Sequence, residues 1–115
     1  DEQDEQFTDF KLLEEELQQL KTLDGKSYRL LKLPMPDAMY DEDYRLPATY
    51  ANFLILNRSV IVPTYGNKIK DAEAARILQL AFPKKEIVCI DATTVVKQHG
   101  SLHCLTMQYP YGVIK

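Results

Sequence analysis

The chain has 115 residues, 45% of them apolar and 27% charged, enough for one globular domain with a core of its own. A net charge of -3 argues against a nucleic-acid binder resting on a basic face. No apolar run approaches the roughly 18 residues of a membrane-spanning helix. Two cysteines, Cys89 and Cys104, are too few for a disulfide-stapled scaffold. With no secretory leader to be read, both are expected as free thiols in a reducing cytoplasm. The chain opens on Asp1 rather than Met, as expected of a processed chain or of a piece of a longer one.

Charge is unevenly placed. Residues 1–25 carry nine acids against Lys11 and Lys21, and the remaining residues carry a balance of +4. A solvated helix face explains the acidic opening, and docking on a basic partner surface is the sharper alternative. Thr8 is the predicted N-cap of a first helix, with Asp9 in its first turn. Phe10, Leu13, Leu17 and Leu20 follow at steps of three and four as one apolar stripe, and Gly25 is the predicted C-terminal stop. Ser27 to Leu33 reads as a strand ended by Pro34. Residues 34–50 form a long irregular stretch rich in proline, tyrosine and acids, either functional or a surface crossover.

From Asn52 the pattern sharpens. Asn52 to Leu56 and Val60 to Val62 are β-prone runs around Asn57-Arg58-Ser59, which predicts a hairpin. Pro63 to Asn67 reads as a loop. Asp71 is the predicted cap of a second helix, with Ala74, Ile77, Leu78, Ala81 and Phe82 on its buried side and Pro83 at its end. Ile87 to Ile90 is short and apolar enough for a central strand, with Cys89 as a core thiol. Asp91 caps a short turn or helix through Val96, and Leu102 to Gln108 reads as a last strand. The class is therefore α/β, without an internal repeat.

Reactive side chains crowd together in one place, His99-Gly100-Ser101-Leu102-His103-Cys104. Three soft ligands suggest a metal, but neighbours on a strand point to opposite faces, so His103 and Cys104 would not share one ion. A buried, unreactive thiol is the default for Cys104. A nucleophilic thiolate needs a base or cation beside it, since free cysteine titrates near 8.5. His103 fails on the same alternation argument, and His99 reaches the sulfur only if Gly100 bends the chain. A catalytic Cys104 therefore takes its base and any substrate-binding carboxylates from outside these residues.

Arg45-Leu46-Pro47-Ala48-Thr49-Tyr50-Ala51-Asn52-Phe53, followed by Gly100-Ser101-Leu102-His103-Cys104-Leu105-Thr106-Met107-Gln108, resembles the C-terminal third of the agmatine deiminase and bacterial peptidylarginine deiminase family. Asp4-Glu5-Gln6, Leu33-Pro34-Met35-Pro36 and Val62-Pro63 stand in the same order. The resemblance implies the last ββαβ module, with a flanking helix and strand, of a five-bladed pseudo-symmetric α/β propeller of the guanidino-group-modifying type. Residues 1–50 would be the helix, strand and Pro/Tyr/Asp loop, and residues 51–115 the terminal module and the cysteine-bearing strand.

It also implies a cytoplasmic hydrolase that converts agmatine to N-carbamoylputrescine and ammonia, a step toward putrescine, through a covalent Cys thiouronium. Cys104 matches the family nucleophile. His99 and Gly100 are candidate substrate contacts, where many members carry a run of glycines. No cofactor and no metal are implied. The partners implied are the small guanidinium substrate and the remainder of the same polypeptide, with a homo-oligomer left open and neither nucleic acid nor membrane. The isolated piece is expected to be inactive. The rival substrates are peptidyl-arginine and free arginine, and the rival class is a non-catalytic α/β interaction module using residues 34–50.

Overall fold

The computed structural model describes residues 2–113. They divide along the chain into two compact units, with the boundary between Leu31 and Lys32.

The first unit holds helix α1, Phe7–Gln19. Its start is two residues earlier than Thr8 would set: Gln6 is the N-cap, and the Asp4 carboxylate accepts the Gln6 N–H at 2.9 Å. No residue of α1 is buried, and Phe10, Leu13, Leu17 and Leu20 are all exposed. Gly25 does not end α1, which stops at an extended Leu20. With φ at +80°, Gly25 instead closes a later turn, donating its N–H to the Thr22 carbonyl at 2.9 Å. The strand expected over 27–33 is reduced to a single bridge between Lys21 and Ser27. Alternation is loose there, and among the described residues no strand pairs with it.

The second unit opens with a two-residue hairpin, β1 (Tyr40–Asp41) and β2 (Tyr44–Arg45), inside the stretch read as irregular. Then come β3 (Leu54–Ile55), β4 (Ser59–Thr64), α2 (Lys68–Ala81) and β5 (Glu86–Asp91), which is the expected ββαβ order. The hairpin pairs Leu54 with Ile61 and Ile55 with Val60, antiparallel. β5 runs parallel to β4, from Ser59 opposite Glu86 to Thr64 opposite Asp91. β4 carries on through Pro63, past the last residue paired with β3, so proline interrupts no β3 ladder there.

β4 is therefore the central strand, and β5 stands at the edge of the three-stranded sheet among the described residues. A four-residue apolar run signals burial without naming a neighbour. Cys89 and Ile90 are in fact exposed, so Cys89 is not the core thiol expected.

The cap of α2 also differs. Asn67, not Asp71, caps α2, its Oδ1 accepting the Ile69 and Lys70 N–H groups at 3.2 Å each. Ala74, Ile77 and Leu78 form the buried face at helical spacing, whereas Ala81 is exposed and Phe82 half-buried.

The core lies in two clusters. Val60, Val62 and Leu78 pack together, with Phe53 and Phe82 against them edge to face at 5.9 Å. Each of these buried aliphatic side chains contributes about 2 kcal/mol, against about 0–1 for an exposed ion pair such as Lys70–Asp37. The second cluster joins Leu46, Ala48, Tyr50, Tyr65, Ala74, Ala92 and Val96, and it underlies the cysteine segment. No helix among the described residues is long and apolar enough to cross a membrane.

Candidate functional site

The chain after β5 turns in stages. Asp91 accepts the Thr93 N–H and hydroxyl at 2.8 and 2.7 Å, and a 3₁₀ turn follows over Val95–Gln98. His99 ends it in the left-handed region, at φ 65° and ψ 24°. Histidine is among the side chains that tolerate this conformation. The reversal leads through Gly100 into Ser101, which is fully buried.

Residues 102–108 are not a strand. Leu102 has helical dihedrals, and His103–Leu105 is a 3₁₀ turn closed by Thr106, whose N–H and hydroxyl both bond the His103 carbonyl. Cys104 therefore sits at the middle of a tight turn. The strand alternation that separated His103 from Cys104 has no basis here. Even so, the side-chain partner of the Cys104 sulfur is Asn52, whose Nδ2 donates to Sγ at 3.1 Å. The Asn52 Oδ1 accepts the His103 N–H at 2.7 Å. Neither the His99 nor the His103 ring bonds Sγ among the described residues. His103 instead lines an open cleft of about 470 Å³ with Asn52, Phe53, Leu54 and Ile55.

A second anchor holds the other end of the turn. The Tyr65 hydroxyl shares a hydrogen bond with Ser101 Oγ at 2.9 Å and donates to the Thr49 carbonyl at 3.0 Å. The ring of Tyr65 meets that of Tyr50 edge to face at 5.5 Å. Beneath them, Asp71 Oδ1 accepts the Tyr50 hydroxyl at 2.7 Å and the Tyr65 N–H at 3.0 Å. Asp71 thus serves this buried network rather than a helix cap. Desolvation, then the Asp71 hydrogen bond, pushes the Tyr50 phenol far above its ordinary range. Burial likewise raises Tyr65, opposed by its bonds to Ser101 and Thr49. Both phenols stay protonated as donors.

The two cysteines are driven apart. Hydrogen bonding from the Ser101 main chain, then from the Asn52 amide, holds the Cys104 thiol below the usual cysteine range. Partial desolvation, then the Asp71 charge, pushes the Cys89 thiol up. Cys104 is exposed, so its sulfur is both polarised and reachable.

Sequence reading placed Cys104 at the centre and missed Asn52, Tyr65 and Asp71. Asn52 and Tyr65 lie 52 and 39 positions before Cys104 along the chain, outside the reach of any local pattern. His99 shapes the backbone, and Gly100 packs on the cysteine itself. A Cβ on Gly100 would stand 3.0 Å from the Cys104 Cβ and 3.4 Å from Sγ. Gly100→Ala is expected to displace the sulfur by a few tenths of an ångström. Stability should fall by about 1 kcal/mol. A denaturant melt checks this; an unchanged transition would show that the contact carries no weight. Among the described residues, no group of three or more His, Cys, Asp or Glu is placed to hold a metal ion.

Residues 1–110 match the Porphyromonas-type peptidyl-arginine deiminase family. A Porphyromonas gingivalis protein solved under the name Putative Arginine Deiminase is 54% identical and superposes with a TM-score of 0.93, over 97% of this chain and 33% of that one. The C. jejuni agmatine deiminase is 41% identical with a TM-score of 0.78, over 90% of this chain and 30% of that one. The agmatine deiminase of Pseudomonas aeruginosa (strain LESB58) is 31% identical over 82% of this chain and 30% of its own length. The chain spans about a third of the length of the relatives it matches. A cysteine turn of this kind, on a ββαβ frame shared so closely with these proteins, leaves one conclusion: the chain belongs to the Porphyromonas-type peptidyl-arginine deiminase family.

Proposed function

We propose that the chain is the C-terminal part of an agmatine deiminase, its ββαβ stretch the last module of a five-bladed α/β propeller, with Cys104 as nucleophile. The observation that carries this is the polarised, exposed sulfur of Cys104, fixed by Asn52 and by the Ser101 main chain. The Cys104 thiolate attacks the guanidinium carbon of agmatine and a C–S bond forms. The C–N bond then breaks as the leaving amino group takes a proton from the histidine supplied by the remainder of the polypeptide, and ammonia departs. Water adds to the resulting thiouronium, the C–S bond breaks, and N-carbamoylputrescine departs as the thiol is restored.

The histidine that activates water and the carboxylates that grip the guanidinium come from the remainder of the polypeptide, so the 115 residues alone are inactive. A cationic substrate beside Sγ favours thiolate over thiol, adding to the effect of the hydrogen bonds. The enzyme acts in the cytoplasm.

A second reading, deimination of peptidyl-arginine or free arginine, is favoured by the name of the matched family and by the identity to the Porphyromonas gingivalis protein. Agmatine ends in an ammonium, free arginine adds a carboxylate, and a peptide needs an open pocket. Rates with the three substrates separate these readings.

The test of a catalytic Cys104 is labelling of the intact protein with a haloacetamidine, a guanidinium mimic, mapped by peptide mass spectrometry. Cys104 should react at least about tenfold faster than Cys89 near neutral pH, because its thiolate fraction is larger. Equal and slow labelling of both would favour a non-catalytic interaction module.

A further inference from the structure

Asn52 bridges two consecutive residues of the cysteine turn with the two ends of one planar amide. Its Oδ1 accepts the His103 N–H at 2.7 Å, and its main-chain carbonyl lies 3.4 Å from the same donor. Its Nδ2 donates to Cys104 Sγ at 3.1 Å. The orientation of the amide is decided by chemistry: a flip would set an NH₂ against the His103 N–H, donor against donor. With Oδ1 held on the main chain, Nδ2 has to point at the sulfur.

The anchor of Asn52 is independent of the cysteine. Its N–H donates to the Thr49 carbonyl at 3.2 Å, next to Tyr50 in the core. On the far side, Ser101 is pinned by Tyr65. The turn is thus held from two directions, but Asn52 supplies the side-chain contact to the sulfur.

Resting on the reading of Cys104 as nucleophile, we propose that Asn52 is a positioning residue, which aims Sγ and donates a hydrogen bond to its thiolate. A thiolate accepts that bond more strongly than a thiol, since the acceptor is charged. The charged form is therefore favoured in the resting protein, before substrate arrives.

The test is the pH dependence of iodoacetamide alkylation at Cys104, read in the intact protein by peptide mass spectrometry, with circular dichroism to confirm the fold. Asn52→Ala should raise the midpoint by about one pH unit and slow alkylation near neutral pH by about five- to tenfold. Asn52→Asp keeps an oxygen for the His103 N–H and sets a carboxylate oxygen against the sulfur. It should raise the midpoint further than alanine does. If alanine prevents folding, the aspartate variant supplies the reading. An unchanged midpoint in folded variants overturns the proposal, as does loss of the fold in both, which would make Asn52 a structural residue alone. The measurement does not depend on turnover. Persisting activity in Cys104→Ala would sink the nucleophile reading while leaving the alkylation profile to decide the role of Asn52.

Discussion

Cys104→Ala is expected to reduce ammonia release from agmatine by the intact enzyme on the order of 10⁴-fold or more, with the melting transition nearly unchanged. The size of the loss follows from covalent chemistry: without sulfur, water must attack the guanidinium carbon directly. The small effect on stability follows from the surroundings. Cys104 is exposed, and the turn keeps its hydrogen bonds from His103 N–H to Asn52 and from Thr106 to the His103 carbonyl. Cys89→Ala is the control. Its sulfur lies on the edge strand β5, is pushed toward the thiol form, and should leave turnover within about twofold. Substantial turnover by Cys104→Ala would remove the covalent mechanism.

The largest effect on stability is expected at Asp71. Asp71→Ala deprives the Tyr50 hydroxyl and the Tyr65 N–H of their shared acceptor at once. Tyr50 is 1% exposed and Tyr65 is 8% exposed, so water does not readily replace the carboxylate. Two stranded donors, together with a lost acid in the first turn of α2, should cost about 3 kcal/mol. Asp71→Asn keeps an acceptor oxygen and should cost about 1 kcal/mol. Denaturant melts of the two variants check this, and an alanine variant within about 0.5 kcal/mol of the parent would contradict it.

The pH dependence of the same network has a definite sign. Both phenols titrate higher in the folded chain than in the unfolded one. Their contribution is fully present below the unfolded tyrosine value of about 10 and is lost as pH rises from there through the folded values. Damage at Asp71 also reaches the site. Asp71 holds the Tyr65 main chain, the Tyr65 hydroxyl holds Ser101, and Ser101 opens the turn that carries Cys104.

What the sequence determined by itself is the local order. The strand pair around Asn57-Arg58-Ser59, the helix carrying Ala74, Ile77 and Leu78, and the following apolar strand all emerge where expected, because hydrophobic period and turn residues act over a few neighbours. The Leu-His-Cys-Leu-Thr-Met-Gln segment also identified the family and its candidate cysteine. Where local signals competed, the reading failed. Asn67 and Asp71 are both capping residue types one helical turn apart, and the choice fell to whichever side chain the core did not need. Residues 102–108 alternate like a strand, but among the described residues they pair with none. The main-chain donor at His103 finds Asn52 instead, and the chain closes into a turn.

Tertiary structure alone decided the environment of the sulfur. Asn52, Tyr65, Ser101 and Asp71 meet because the hairpin, α2 and the segment after β5 converge on one core cluster. Hydrogen bonds between residues tens of positions apart leave no periodic trace in a sequence. Their partners are chosen by which backbone groups the packed core brings within about 3 Å.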